Sequence, residues 1–284
     1  MTDEFTTHLA ALARERHPDT SPVALRETAV YLSQQFIRLG LEVSTHRFGA
    51  WEQTYDNVIG TKPAHNSVAA APLILAAHYD TVSGSPGADD NASALTVLIE
   101  VAQRLKRTAL TRPVQFVAFC LEEEDLLGSR AYVAHLTKTG RSVHGAIILE
   151  CVGYASEQEG SQRTPPGIPV AVPSVGNFLA LIGNQASASL TSALSQAMVS
   201  IIPVVPLVVP GNGEQLPDTR RSDHTAFWEE GFAAVMVTDT ANFRNPHYHR
   251  STDTVDTLNL KFLTSVADAV TAAVLALAAT PERP

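Results

Sequence analysis

Residues 73–80 read LILAAHYD, a short apolar run followed by histidine, tyrosine and aspartate. A continuous apolar run of this length is typical of a strand that is buried on both faces of a parallel sheet. The sequence therefore predicts a strand from Leu73 to Ala77, with His78 and Asp80 directly beyond its carboxyl end.

Apolar runs of the same kind recur along the chain and alternate with longer amphipathic segments. Four more strands are predicted at Val114 to Cys120, Ala146 to Leu149, Phe178 to Ile182 and Ala233 to Val237. Helices are predicted over the first 17 residues, from Ser21 and Pro22 to Gly40, and over Ala92 to Arg107, Arg130 to Lys138, Gln185 to Ser200 and Lys261 to Ala279. This alternation predicts an α/β fold, a three-layer α/β/α sandwich around a mainly parallel, mixed central sheet.

Composition and length favour one folded unit. With 284 residues, 45% of them hydrophobic and 17% charged, the chain can bury a large core. The sequence shows no internal repeat, and its two Pro- and Gly-rich stretches, Gly160 to Pro173 and Pro210 to Pro217, are typical of functional loops. Residues 1–284 are therefore predicted to form a single domain.

The charge balance excludes some classes of partner. Twenty basic and 29 acidic side chains give a net charge of −9. Such a charge repels phosphate backbones and anionic lipid surfaces, so neither a nucleic acid nor a membrane is an expected partner. The apolar stretch from Ile201 to Val209 contains two prolines and is too short to cross a bilayer. The sequence carries no sign of its oligomeric state.

Cysteine content and the amino terminus bear on the cellular compartment. Cys120 and Cys151 cannot build a disulfide framework, and they lack the paired spacing of a structural zinc site. The first 17 residues lack the basic start and the apolar run of a secretory signal. We therefore expect a reducing, cytoplasmic location.

Residue types that bind metals follow three of the predicted strands. His78 follows the first strand, Glu122, Glu123 and Glu124 follow the second, and Glu150 follows the third. In an open α/β sheet, ligands bind beyond the carboxyl ends of the strands, which meet at one edge. An acidic run after a single strand is usually a solvated loop, but three such segments together predict a metal site.

The segment GADDNAS, residues 87–93, directly precedes a predicted helix and allows two interpretations. Asp90 or Asn91 could accept hydrogen bonds from the first free amides of that helix. Alternatively, one carboxylate bridges two cations, which holds them at the roughly 3.5 to 4 Å separation used in hydrolysis by paired metals.

Two further polar segments follow later in the chain. NPHYHRSTDT, residues 245–254, is rich in turn formers and follows the strand Ala233 to Val237, so it is expected at the same edge as the other candidate ligands. RSDH, residues 221–224, lies upstream. We expect Asp223 and His224 to line a substrate pocket, although Asp223 is equally suited to cap a short helix over Thr225 to Glu230.

The polar segments together resemble the co-catalytic dinuclear zinc aminopeptidases, the peptidase family of the bacterial leucyl aminopeptidases and glutamate carboxypeptidase, to which glutaminyl cyclases are related. The resemblance covers roughly residues 70 to 260 and is specific because all the segments occur in the family's order. They are HYD at 78–80, GADDNAS at 87–93, EEEDLLGS at 122–129, LECVGY at 149–154, RSDHTAFWEEG at 221–231 and NPHYHRSTDT at 245–254.

The resemblance implies a zinc exopeptidase fold and two zinc ions per chain. It makes His78 and Glu150 ligands of one ion, Glu123 and His249 ligands of the other, and Asp90 the bridge between them. Glu150 stands where many relatives have aspartate. Cys120 and Cys151 flank these positions, and we interpret them as small buried residues rather than as soft ligands.

The resemblance also implies three residues that act in catalysis. Asp80 would hold His78 in the correct tautomer, a role that metal-bound imidazoles usually need filled. Glu122 would be the general base that takes a proton from the metal-bound water, leaving a metal-bound hydroxide, and later gives the proton to the leaving amine. Tyr248 would polarise the substrate carbonyl or stabilise its oxyanion.

The function implied is a metallo-aminopeptidase that removes the first residue of a peptide, or of an aminoacyl amide, with a free amino terminus. Two alternatives stay open at this point. One is a glutaminyl-peptide cyclotransferase on the same fold. The tyrosine before His249 disfavours it, because in the cyclases the corresponding histidine resembles one preceded by tryptophan. The other is a non-catalytic binding relative, which the complete set of ligands and base disfavours.

Overall fold

One central sheet organises the computed structural model, which describes residues 2–65 and 70–279. Within those ranges the sheet has eight strands in the order β1-β2-β4-β3-β5-β8-β6-β7. The strands are β1 (Glu42–Ala50), β2 (Gln53–Lys62), β3 (Leu73–His78), β4 (Val114–Phe119), β5 (Gly145–Glu150), β6 (Leu179–Asn184), β7 (Val204–Val209) and β8 (Ala234–Thr238).

The four middle strands are parallel, and an antiparallel pairing joins them to the strands on each side. Strands β4, β3, β5 and β8 pair in parallel, so their carboxyl ends lie along one edge. β1 and β2 form an antiparallel hairpin, β2 also runs antiparallel to β4, and β6 runs antiparallel to β8. The prediction of a mainly parallel, mixed sheet is confirmed.

Helices cover both faces of the sheet. Those described are α1 (Thr2–Leu12), α2 (Pro22–Arg38), α3 (Ala94–Leu105), α4 (Leu127–Lys138), α5 (Ala188–Met198), α6 (His224–Glu229) and α7 (Leu260–Ala278). Helices α1, α2, α3, α5 and α7 pack into one hydrophobic core, whereas α4 and α6 pack into a second core on the opposite face. Since each core lies between helices and the same sheet, the three-layer sandwich is confirmed.

Alternation along the strands divides the two cores. In β3, Leu73 and Leu75 face the core that contains α3 and α7, while Ile74 and Ala76 face the core that contains α4. All four side chains are fully buried. A strand covered on both faces reads as a continuous apolar run, which is why the sequence revealed it.

Two strands lie where the sequence did not predict them. β2 contains polar and aromatic residues, and it is buried only over Asn57 to Gly60, where it pairs with β4. β7 contains Pro206, which has no backbone N–H. Because β7 lies at the edge of the sheet, a proline is tolerated there.

The last helix tests the expectation that no segment crosses a membrane. Among the described residues, α7 is long and apolar enough to do so by length and composition alone. Its apolar side chains, however, pack against α3 and α5, and residues such as Leu263, Val270 and Val274 belong to the hydrophobic core. In this structure α7 is a core helix.

Candidate metal centre

The parallel strands bring the predicted metal-binding residues to one edge. His78 is the last residue of β3 and Glu150 the last residue of β5, while Glu122 and Glu123 follow β4 within four residues. Because β3 pairs in parallel with both β4 and β5, the ends of these strands are neighbours.

Asp90 lies between two imidazoles. Its Oδ1 is 3.1 Å from Nε2 of His78, and its Oδ2 is 3.0 Å from Nε2 of His249. Nε2 of His78 also lies 3.5 Å from Oε2 of Glu150, and Nε2 of His249 lies 3.3 Å from Oε2 of Glu123. The structure thus brings together all five residues expected to bind metal, with Asp90 in the position of a bridge.

Several of these polar atoms are buried without a hydrogen-bond partner. Among the described residues, both ring nitrogens of His78, Oδ1 of Asp90 and Oε1 of Glu123 have none. Leaving buried polar atoms unpaired is costly, and imidazole nitrogens with carboxylate oxygens are a donor set that suits zinc. The residues present therefore fit a divalent metal ion.

Asp80 connects His78 to the segment after β4. One of its oxygens lies 3.5 Å from Nδ1 of His78. The same carboxylate accepts hydrogen bonds from the backbone N–H groups of Glu122 and Glu123, each at 3.1 Å. Asp80 is thus placed to orient the imidazole and the two glutamates together.

The loop that carries Asp90 is held from both sides. Asn91 donates to the carbonyl of Leu149 at 3.0 Å and accepts from the N–H of Cys151 at 3.0 Å. The carboxylate of Asp253 accepts from the N–H groups of Asp89 and Asp90. Neither Asp90 nor Asn91 caps the following helix, so the capping interpretation is wrong. Asp90 contacts the two histidines, and Asn91 bonds to the backbone around the end of β5.

Three turns at the site hold a residue other than glycine in the left-handed backbone region. They are Leu121 before the glutamates, Cys151 after Glu150, and His249 itself, with φ values of 61°, 46° and 59°. Such conformations cost roughly 1 to 3 kcal/mol each and persist where the surrounding structure fixes them. Cys120 and Cys151 are both fully buried, as expected.

Burial and neighbouring charges perturb the titration of the site. Burial raises the pKa of Glu122 well above its usual value, and the charges of Glu150 and Glu123 raise it further. Burial also raises the pKa of Glu123, to about 7. Burial lowers the pKa of His249, but its hydrogen bonds to Asp90 and Glu123 outweigh this effect and raise the pKa to about 10.

Tyr248 stacks on the ring of His249, with ring centroids 3.8 Å apart. Its phenol oxygen accepts a hydrogen bond from Nη2 of Arg221 at 3.1 Å. Burial raises the pKa of Tyr248, so the phenol stays protonated and can donate a hydrogen bond.

The structure places Asp223 and His224 beneath the site rather than on its surface. Both are fully buried, and the ring of His224 packs edge-on against Trp228 at 4.4 Å. The expectation that they line a substrate pocket therefore needs correction, because α6 packs against the sheet. Asp223 precedes α6, but its carboxylate makes no capping hydrogen bond, and burial raises its pKa to about 7.

The burial of His224 predicts a loss of stability in acid. Burial lowers its pKa from 6.5 to about 4, so between these values the unfolded chain binds a proton that the folded chain does not. Stability falls as the pH falls through this window, by about 2 kcal/mol between pH 7 and pH 5. We expect His224→Phe to lose less unfolding free energy than the wild type over this interval, measured by urea denaturation. Equal losses in the two proteins would contradict the prediction.

Some supporting residues could not be recognised from the sequence. Arg16, fully buried, donates to the carbonyls of Tyr79 at 2.7 Å and Gly87 at 3.2 Å, and no local pattern signals such a distant contact. Ser222 donates to Oε2 of Glu150 at 2.8 Å. Ser222 lies inside the RSDH segment, so the sequence marked its neighbourhood as functional without singling out Ser222 itself.

An apolar pocket opens beside Glu150 and Tyr248. Ala180 and Ile182 of β6, with Phe178 just before that strand, form part of its wall, and β7 and β8 extend that wall. The loop Gly160 to Pro173 adds apolar residues to the lining. The sequence predicted that this loop is functional, and the loop lines the pocket.

Comparison with known proteins agrees with this site. A family model described as peptidase family M28 matches residues 57–274. The chain belongs to peptidase family M28. The match includes all five candidate metal-binding residues and contains the range of roughly residues 70 to 260 over which the sequence resembled the zinc aminopeptidases.

Two sequence relatives of this M28 chain differ in length. Protein YfbL of Escherichia coli (strain K12) is 33% identical over 263 residues, which cover 87% of this chain and 78% of YfbL. Aminopeptidase YwaD of Bacillus subtilis (strain 168) is 29% identical over 232 residues, which cover 78% of this chain and 44% of that protein. The chain therefore spans less than half the length of YwaD.

Two solved structures share the fold. BSAP, a zinc aminopeptidase from Bacillus subtilis, matches with a TM-score of 0.76 at 17% identity, over 99% of this chain and 96% of the other. Porphyromonas gingivalis glutaminyl cyclase matches with a TM-score of 0.70 at 18% identity, over 96% and 97%. At these identities the similarity shows the fold alone.

Proposed function

We propose that the chain is a zinc aminopeptidase that holds two zinc ions and removes the first residue of peptides with a free amino terminus. Membership of family M28 and the similarity to aminopeptidase YwaD support peptide hydrolysis. The observation that carries the proposal is the convergence of two imidazoles and two further carboxylates on Asp90, with Glu122 and Tyr248 beside them.

His78 and Glu150 would hold one ion, and Glu123 and His249 would hold the other. Asp90 would serve both ions, since its two oxygens face different imidazoles. When bound, zinc supplies positive charge that acidifies the attacking water and stabilises negative charge on the carbonyl oxygen.

Glu122 is the proposed general base. Its Oε2 lies 3.8 Å from Nε2 of His78, so its carboxylate reaches the centre of the site. It would accept a proton from the attacking water as the water oxygen bonds to the carbonyl carbon. It would then give that proton to the leaving nitrogen as the C–N bond breaks, which releases a free amino acid and a shortened peptide.

Tyr248 and Arg221 complete the proposed machinery on the other side. Because Arg221 donates to the phenol oxygen, the phenol hydrogen is free to point elsewhere. Tyr248 would donate that hydrogen to the carbonyl oxygen as negative charge develops there.

The apolar pocket would receive the side chain of the first residue. Its wall consists mainly of aliphatic and aromatic side chains, which favours apolar first residues such as leucine. Glu150 lines the pocket and Glu122 the neighbouring cleft, so negative charge is available there for the ammonium group of a free amino terminus.

A panel of amides tests this proposal directly. We expect leucinamide to be hydrolysed at least ~10²-fold faster than N-acetyl-leucinamide, because acetylation removes the charge that the carboxylates bind. A chelator should abolish hydrolysis and added zinc should restore it, with two zinc ions per chain at full activity. Equal rates for the free and the acetylated amide would contradict an aminopeptidase and favour a broader amidohydrolase.

The same preparation also distinguishes an aminopeptidase from a glutaminyl-peptide cyclotransferase. A glutaminyl peptide incubated with the zinc-loaded protein should lose its first residue, which mass spectrometry detects as a free amino acid. A pyroglutamyl peptide formed with loss of ammonia, with one zinc ion per chain, would favour the cyclotransferase instead.

A further inference from the structure

A cleft of about 280 Å³ opens at the candidate metal centre and borders the apolar pocket. Tyr248 and His249 line it, together with three arginines, Arg130, Arg220 and Arg221, and three acids, Glu122, Glu123 and Asp125. The proposed hydrolysis uses Glu122 and Glu123 at the metal centre, and it uses Arg221 only through the hydrogen bond to Tyr248, so the charges of the arginines have no direct role in it. Below, this cavity is called the arginine cleft.

Arg221 is the arginine whose charge is least matched. Its Nη1 donates to Oδ1 of Asn242 at 2.8 Å and its Nη2 donates to the phenol of Tyr248 at 3.1 Å, and both partners are neutral. The nearest carboxylate that pairs with it, that of Asp218, is 3.7 Å away. Arg221 is also 41% exposed, so a planar guanidinium already fixed in position faces the cleft.

The other two arginines differ from each other. Arg130 pairs with Asp125 at 2.7 Å and with Glu229 at 3.6 Å, but both partners are exposed to solvent, and such solvated pairs are weak. Arg220 is fully engaged, because its terminal nitrogens donate to the carbonyl of Asn212 and to Glu229. Arg221 and Arg130 are therefore the side chains with charge to offer a ligand.

Arg221 and Tyr248 line both cavities, which makes them the border between the apolar pocket and the arginine cleft. If the first side chain of a peptide occupies the pocket, as the proposed function requires, the second residue extends into the cleft. The second residue of a dipeptide ends in a carboxylate, which a guanidinium binds with two hydrogen bonds.

We propose that the arginine cleft binds the free carboxylate of the second residue, chiefly through Arg221, so that the chain prefers dipeptides. This inference rests on the proposed aminopeptidase function. Only a dipeptide carries a free α-carboxylate on its second residue, so this contact would favour dipeptides over longer peptides. An acidic side chain at the second position offers the same chemistry, so the test must distinguish the two sources.

Four substrates distinguish them in the zinc-loaded protein: Leu-Gly, Leu-Gly amide, Leu-Asp amide and Leu-Asn amide. We expect kcat/KM for Leu-Gly to exceed that for Leu-Gly amide by ~10- to 100-fold, the effect of hydrogen bonds to a charged group. Arg221→Gln should bring this ratio close to one, and Arg221→Lys should retain part of it. Arg47→Gln, which changes an exposed arginine on β1, is the matched control and should keep the wild-type ratio.

Equal values for Leu-Gly and its amide in the wild type would overturn the inference. A loss of the same size on all four substrates in Arg221→Gln would also overturn it, because Arg221 would then act only through Tyr248. A preference for Leu-Asp amide over Leu-Asn amide, without a preference for Leu-Gly over Leu-Gly amide, would show that the cleft binds acidic side chains. It would also overturn the proposal that the cleft binds the terminal carboxylate.

Binding measurements keep this inference separate from the proposed function. In zinc-loaded Glu122→Gln, which is expected to bind these substrates without turning them over, calorimetry should show ~10-fold or tighter binding of Leu-Gly than of its amide. If neither dipeptide is hydrolysed by the wild type but this difference in binding is present, the proposed function fails and the inference stands. If both are hydrolysed and the difference is absent, the inference fails alone.

Discussion

Replacing Glu122 with glutamine is expected to lower kcat by roughly 10³-fold or more while zinc content stays at the wild-type level. General acid and base catalysis contributes about 10²- to 10⁴-fold, and one carboxylate is proposed to act in both halves of the reaction. Glutamine keeps the size of the side chain and leaves His78, Glu150 and Asp90 unchanged. The measurements are kcat and zinc content on the same preparation.

Glu124→Gln is the matched control for this substitution. Glu124 belongs to the same acidic run, but its carboxylate lies 3.4 Å from Nε2 of His17, away from the site. We expect near wild-type turnover from it. Full zinc with normal kcat in Glu122→Gln would eliminate Glu122 as the base, whereas lost zinc would make Glu122 a ligand.

Replacing Asp90 with asparagine is expected to remove both ions together. Its carboxylate faces His78 and His249 at 3.1 and 3.0 Å, so an uncharged amide at this position weakens both halves of the site. Zinc content should fall below one ion per chain, and kcat should fall by ~10³-fold or more, because the positive charge that stabilises the developing oxyanion is lost.

Thermal unfolding provides a second readout for Asp90→Asn. Zinc at 100 times its Kd stabilises a folded protein by about 2.7 kcal/mol, and this gain should be absent in the variant. Asp268→Asn, which changes an exposed aspartate on α7, should keep both ions and the zinc-dependent stabilisation. An Asp90→Asn protein that still holds two zinc ions would show that the carboxylate is not a bridge.

Strand ends could be predicted because burial on both faces leaves a plain apolar signature. β3, β4 and β5 each read as an apolar run, and the polar residues after them marked the edge where ligands gather. β7 was missed because Pro203 before it and Pro206 within it are typical of breaks in a strand, and Pro206 is tolerated because β7 lies at the sheet edge.

Residues that act through long-range contacts could not be predicted. Arg16 supports the loops after β3 from more than 60 positions away, and such a contact depends on how α1 packs on the sheet. For His224, the sequence predicted a role in substrate binding that the structure does not support. Its place beside a functional segment predicted exposure, but α6 buries it against Trp228.

The reversed direction of β6 and β7 separates two properties of this protein. The residues proposed for hydrolysis lie at or after the ends of β3, β4, β5 and β8. The apolar pocket is formed mainly by β6, β7 and the loop Gly160 to Pro173, and β8 lies between the two regions and contributes to both. Under the proposed function, mutations in that loop are therefore expected to change which side chain is accepted while the reacting groups keep their positions. A protein built this way can acquire new substrates by changing one surface segment, and its chemistry persists through the change.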